Sequence, residues 1–291
     1  MAGLTRRELL KTAGAAAAAI AVYSLPGPAT TRAATIAWNH DPASPIGPNH
    51  WGDIGFPTCG QGTSQSPINI MTDSVAAFHG SPLLLRYESS ELGIENTGHV
   101  VEVPIPTSAN SSMQISGDRF ELVQYHFHAP SEHTIDGRLA DAEAHFVHMN
   151  ALGVTAVVGV FFRLGLEPNT LLDRILLAAP VTAGDEVHAG EANPAELFHD
   201  IRGVRTTSAG RVQVNSFYNY NGSLTTPGCT QDVRWFVLAD GGTVSNAAVA
   251  RFHEVIARFP DYNGYPNNNR PVQPVNGRII RLRRGSDVDD V

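Results

Sequence analysis

The chain has 291 residues, 42% of them hydrophobic and 16% charged, with a formal net charge of −8. That length and apolar content support one sizeable core, while the acidic balance argues against a nucleic-acid binder, whose phosphate contacts need clustered Lys and Arg. With two cysteines, Cys59 and Cys229, a four-cysteine zinc site and a disulfide-dense scaffold are both excluded.

In chain order, Thr5-Arg6-Arg7-Glu8-Leu9-Leu10-Lys11 makes a charged start, and Ala13 to Val22 an apolar run too short to span a bilayer comfortably. Small residues then lead to Ala33-Ala34. The pattern predicts an export signal over 1–33, and the paired arginines resemble a twin-arginine leader. From Thr35 to about Arg284 there is no long linker, repeat or composition break, so 34–291 is read as one domain. No later segment is apolar enough to cross a membrane. The mature protein is therefore expected outside the cytoplasm (periplasm, cell wall or medium) without stable membrane insertion.

The opening of that domain, Pro42 to Gly62, is rich in Pro and Gly and reads as irregular chain over a core. Short β-type runs follow: Leu83 to Tyr87, His99 to Val103, Glu121 to His128, Ala144 to Met149, Thr155 to Arg163, Gln213 to Phe217, Val233 to Leu238 and Ile279 to Arg283. Two helices are predicted, one capped by Asn169 and stopped by Pro180, the other capped by Ser245 and running to Phe259. Many strands, few helices and no regular alternation predict a mainly β domain with a mostly antiparallel sheet.

The chemistry centres on Gln124-Tyr125-His126-Phe127-His128. On a strand, residues two apart share a face, so Gln124, His126 and His128 point one way and Tyr125 and Phe127 the other. Two imidazoles on one face can share a metal, and a neighbouring strand must supply a third. Glu143-Ala144-His145 is the candidate, with His145 as ligand. Metal-bound histidines give their other N–H to an acceptor, and Gln124 and Glu143 each precede a ligand by two residues on the matching face. Three neutral histidines leave a fourth position open, the pattern of a catalytic zinc.

These segments together resemble the α-carbonic anhydrases. Ser64-Gln65-Ser66-Pro67-Ile68-Asn69-Ile70 is similar to that family's early signature, and Gln124 to His128 with Ser131-Glu132-His133-Thr134-Ile135-Asp136-Gly137 to its central one. Glu143 to His148 and Ser223-Leu224-Thr225-Thr226-Pro227 complete the set. The resemblance spans about Trp38 to Arg283. It implies a central twisted sheet with a few short peripheral helices. Zn2+ would sit on His126, His128 and His145, catalysing reversible hydration of CO2 to bicarbonate and a proton by zinc-bound hydroxide. The near-neutral pKa of zinc-bound water is a known property of these enzymes, not a reading of this chain.

The resemblance also implies roles for matching positions. Gln124 and Glu143 would orient ligands. Thr225 would donate to Glu132 and accept from the nucleophile, and Thr226 would line the substrate site. Val147, Val157, Leu224, Val233 and Trp235 would form an apolar wall for CO2. His99 would shuttle the proton, and Cys59 and Cys229 would pair. One departure is Trp38-Asn39-His40, where the family usually has Tyr at the third position. The remaining histidines, His133 and His148 among them, read as structural or surface residues.

Two rival readings follow from the same residues. His126-x-His128 with Glu132 mimics part of a cupin ligand set, in which Glu132 would bind iron or manganese. A noncatalytic binding module on the same fold is the other.

Overall fold

The computed structural model of the protein describes residues 36–285; the export signal expected over 1–33 lies outside them. Six strands frame the site: Val101–Pro104 (β1), Asp118–His128 (β2), Ala142–Asn150 (β3), Thr155–Leu164 (β4), Phe217–Ser223 (β5) and Gln231–Leu238 (β6). They lie side by side in the order β1, β2, β3, β4, β6, β5, antiparallel except for the β4–β6 pair. Shorter strands extend both edges into one large curled sheet, the mainly β fold expected. Gln213 to Phe217, predicted as one strand, is split. Arg211–Val214 pairs with Leu83–Arg86 near one edge of the sheet, while β5 begins at Phe217 on β6, so the chain changes partner at Asn215 and Ser216.

The helices are short: Pro57–Gln61 (α1), Thr170–Ala178 (α2) and Asn246–Ile256 (α3). In α2 the Asn169 side chain accepts from the Leu172 N–H, and in α3 Ser245 accepts from Ala248, each satisfying an otherwise orphaned donor. Leu172, Ile175 and Leu176 of α2 and Val249, Phe252 and Ile256 of α3 are buried at helical spacing. They cover one face of the sheet and build the main core with Tyr125, Phe127, Phe146, Val158 and Phe162. The α3 helix ends three residues short of the predicted Phe259, which is buried in the following turn.

One irregularity decides what the opposite face carries. Phe120 and Leu122 of β2 belong to the main core, and so do Tyr125 and Phe127. The change from even to odd numbers needs an extra residue. Leu122 pairs with His148 and Gln124 with Val147, which leaves Val123 unmatched. This β-bulge re-aims everything after it. Without it Gln124, His126 and His128 would face the core, because a one-residue shift exchanges the two faces of a strand.

Candidate metal centre

His126 sits directly opposite His145 in the β2–β3 ladder, and His128 follows two residues on. The three ring centroids are 4.6 to 5.2 Å apart, and one nitrogen from each lies within 4.8 Å of the others. Each ring is tied by its far nitrogen. His126 Nδ1 is 2.9 Å from Gln124 Oε1, His128 Nδ1 is 2.9 Å from the Asn268 carbonyl, and His145 Nε2 is 2.9 Å from Glu143 Oε1. All three partners are acceptors, so each tied nitrogen donates and the facing nitrogen is a bare lone pair. Burial holds the rings neutral: it lowers His126 well below its ordinary value, His128 to about 4, and His145 in the same direction. His128 Nε2 is buried without a hydrogen-bond partner, which costs free energy unless a ligand takes it up. Three convergent neutral nitrogens, one of them orphaned, fit a zinc ion with an open coordination position.

A second trio, His133, Glu143 and His145, also comes together, but its polar atoms are already used. Glu143 Oε1 accepts from His133 Nδ1 at 2.7 Å as well as from His145, and Oε2 accepts from the peptide N–H groups of Glu132 and His133 at 2.8 and 2.9 Å. His133 Nε2 meets the Tyr220 hydroxyl at 2.6 Å, which in turn meets Ser66 Oγ at 2.8 Å. Burial works to raise the Glu143 carboxyl, but His133, His145 and these hydrogen bonds overrule it and hold it well below the usual range. Opposite His145 on β4 stands Gly159, where an added Cβ would meet Glu143 Oε1 at 3.0 Å. That position makes room for the carboxylate.

Glu132 is the contrasting carboxyl. Its Oε1 accepts from the Arg270 peptide N–H at 2.8 Å, while Oε2 is buried with no hydrogen bond. Oε2 lies 3.6 Å from His128 Nε2 and 3.8 Å from His145 Nδ1. Burial pushes Glu132 up to about 7, against the pull of His145 and of the Thr225 hydroxyl. Thr225 thus acts in the ionising direction without completing a hydrogen bond to Oε2.

The Thr225 loop is fastened from behind. Cys229 N–H donates to the Thr226 carbonyl and Leu224 N–H to Thr230, closing a tight turn. Cys59 and Cys229 are disulfide-bonded, as the resemblance implied. Closing a loop of 170 residues stabilises by about 5 kcal/mol in the chain-entropy account. Arg270 joins this clasp to Glu132. Its guanidinium is buried over Trp51 and donates to Gln65 Oε1 and to the Ser66 and Cys59 carbonyls.

The five apolar residues expected beside the metal do gather. Val157, Val233 and Trp235 are buried in one cluster, with Val147 and Leu224 packed on it, and the Trp235 ring lies 4.8 Å from that of His145. The cluster continues outward into a groove of about 230 Å³ that also includes Leu152 and Val154. Thr226, two residues after Leu224, is half-buried.

His99 lies in the bend before β1 and is half-buried. Its ring stacks on Trp38 at 3.7 Å, its Nδ1 is buried without a partner, and burial lowers it to about 4. His40 is fully buried beside it, bonded through Nδ1 to the Tyr262 hydroxyl, with Nε2 unpartnered. Sequence reasoning did not find Asn268, Arg270, Tyr220, Tyr262 or Gly159. Asn268 orients His128 through a backbone carbonyl, and Arg270 anchors Glu132 through a peptide N–H, roles that side-chain identity does not encode.

The chain matches the family described as eukaryotic-type carbonic anhydrase over residues 46–284. Among curated relatives, the carbonic anhydrase of Klebsiella pneumoniae is 36% identical, over 80% of this chain and 86% of its own. That of Nostoc sp. (strain PCC 7120) is 34% identical, over 95% of this chain and 97% of its own. The solved α-carbonic anhydrase of Thermovibrio ammonificans, in complex with the inhibitor sulfanilamide, shares the fold with a TM-score of 0.73 at 33% identity, covering 85% of this chain and 99% of that one. The chain belongs to the α-carbonic anhydrase family.

Proposed function

We propose that the protein catalyses zinc-dependent, reversible hydration of CO2 to bicarbonate, with His126, His128 and His145 as ligands. The observation that carries this reading is the set of three neutral imidazoles whose bare nitrogens converge while their other nitrogens are tied to Gln124, Asn268 and Glu143. A bound zinc ion supplies Lewis acidity, which makes water a competent nucleophile near neutral pH. The rest falls to the chain's own groups.

Thr225, by donating to Glu132, keeps only acceptor capacity towards the cleft, so it takes a hydrogen bond from the nucleophile and aims its lone pair at carbon. Val147, Val157, Leu224, Val233 and Trp235 offer CO2 a surface that competes poorly for water, with Thr226 at its polar edge. His99 takes the proton outward after its ring leaves Trp38, because in the stacked position it is a weak base. Glu132, anchored through Oε1 by Arg270, serves as the hydrogen-bond acceptor of Thr225, and the match to the carbonic anhydrase family over residues 46–284 leaves it no ligand role. That argues against the cupin-like reading.

Residues 1–33 are proposed to direct export and 34–291 to form the catalytic domain. The Cys59–Cys229 disulfide supports an oxidising destination outside the cytoplasm. The test is CO2 hydration by the purified protein beside a His128→Ala variant, with zinc quantified in both. About one zinc per chain, and loss of both metal and at least a hundredfold of activity in the variant, is the expected result. Zinc-loaded wild-type protein inert towards CO2 would favour a binding module.

A further inference from the structure

The polar side of the cleft carries a feature that the catalytic reading does not use. In the sheet register Glu186 stands opposite Glu95, Glu95 opposite Glu102, and Glu102 opposite His126. Residues directly opposite in an antiparallel ladder share a face. The neighbours confirm which one: Val101 and Val103 of β1 belong to the main core with Tyr125 and Phe127, so Glu102 faces the other way, with His126. Three carboxylates therefore run in a line from the metal centre to the edge of the sheet.

No cation balances the inner part of this row. Among the described residues neither Glu95 nor Glu102 takes part in an ion pair, and only Glu186 has a basic neighbour, His188 at 3.8 Å. The Arg270 guanidinium, whose own peptide N–H holds Glu132, is buried and spent on Gln65, Ser66 and Cys59. The other wall of the cleft is apolar. The carboxylates also act on one another: burial and then Glu95 push Glu102 up to about 7, and burial and then Glu186 raise Glu95. A negative field between low-dielectric walls is screened far less than at an open surface.

We propose that Glu102, with Glu95 and Glu186 behind it, is an anion-excluding wall that sets how tightly small anions, the bicarbonate product included, are held at the metal centre. The proposal rests on the three-histidine metal site. Neutral CO2 does not feel the wall, whereas a monovalent anion approaching the ion does. Its role is to weaken product retention and to blunt inhibition by ambient anions.

The test uses the full domain loaded with cobalt(II), whose visible spectrum reports anion binding without any turnover. Thiocyanate is titrated into wild type, Glu102→Gln and Glu95→Gln at pH 8.5, above the raised Glu102 value, at low and at high salt. Thiocyanate should bind about three- to tenfold tighter to Glu102→Gln and about twofold tighter to Glu95→Gln, the latter gain shrinking in salt. The KM for bicarbonate should fall in the same order. Equal thiocyanate affinities in wild type and both variants would overturn the wall alone. A protein that takes no cobalt, or whose spectrum ignores thiocyanate in every form, would overturn the metal site and the wall together. Glu95 is more exposed than Glu102, so its variant keeps the test open should Glu102→Gln fold poorly.

Discussion

Two buried carboxyls, eleven residues apart, stand on either side of the same histidines and are treated in opposite ways. Glu143 accepts four hydrogen bonds and is held ionised. Glu132 is anchored through one oxygen, keeps the other without a hydrogen bond, and is pushed up to about 7. A fully satisfied carboxylate can only hold things in place, because every lone pair that could respond to a substrate is committed. A half-satisfied one stores an interaction for a partner that arrives with the reaction. Under the proposed function, the fold separates holding the ligands from steering the nucleophile.

That separation can be broken experimentally. The largest effect is expected from Glu132→Gln: a fall in kcat on the order of a hundredfold with zinc content unchanged, since an oriented hydrogen bond in the reacting site is lost. Steady-state kinetics with metal analysis decide it; loss of zinc instead would make Glu132 a holding group after all. Glu143→Gln should do the reverse, weakening zinc affinity by about ten- to a hundredfold, read by competition with a chelator. A similar profile in both variants would erase the distinction.

Smaller effects test the surroundings. His99→Ala should slow turnover by up to about a hundredfold, the low end for an acid–base group, and only in weak buffer, where added imidazole restores the rate. A variant as fast as wild type would show that the stacked ring never leaves Trp38. The mildest test sets histidines against carboxyls in metal-free protein. His148, lowered to about 3 by burial, His99, lowered to about 4, and His40, held well below its ordinary value by burial, take up protons only on unfolding. Their contribution is complete above about 6.5, the unfolded value, and is lost as pH falls from there towards 4. Glu132 and Glu102, raised to about 7, act oppositely and cost stability as pH rises from about 4.5 to 7. With the three ligand histidines on their side, the histidines outnumber the carboxyls. The urea midpoint should therefore be lower at pH 5 than at pH 6.5, and a flat profile would show that the burial of these rings has been misjudged.

The convergence of the three histidines could be read ahead of the structure because a period of two survives intact from Gln124 to His128 and from Glu143 to His145. The helix caps at Asn169 and Ser245 were equally visible, since capping is a local act of one side chain. What stayed hidden was non-local or made of backbone. The carbonyl that orients His128 comes from Asn268, 140 positions away, and the peptide N–H that anchors Glu132 belongs to Arg270. The stacking of His99 on Trp38 depends on how the irregular opening segment drapes over the sheet, which no periodicity encodes.

The bulge at Val123 makes the active face of this protein a question of parity. Val123 is 37% exposed and belongs to none of the core clusters, yet its presence determines whether Gln124, His126 and His128 look into the cleft or into oil. The identity of the side chain there is nearly free, while the count is not. Losing one residue between Phe120 and Gln124, or gaining one, would carry Tyr125 and Phe127 into water and Gln124, His126 and His128 into the interior, whereas a change of two would leave the outlook of both faces as it was. Drift in this lineage can therefore rewrite the letter at 123 far more easily than it can change the spacing around it.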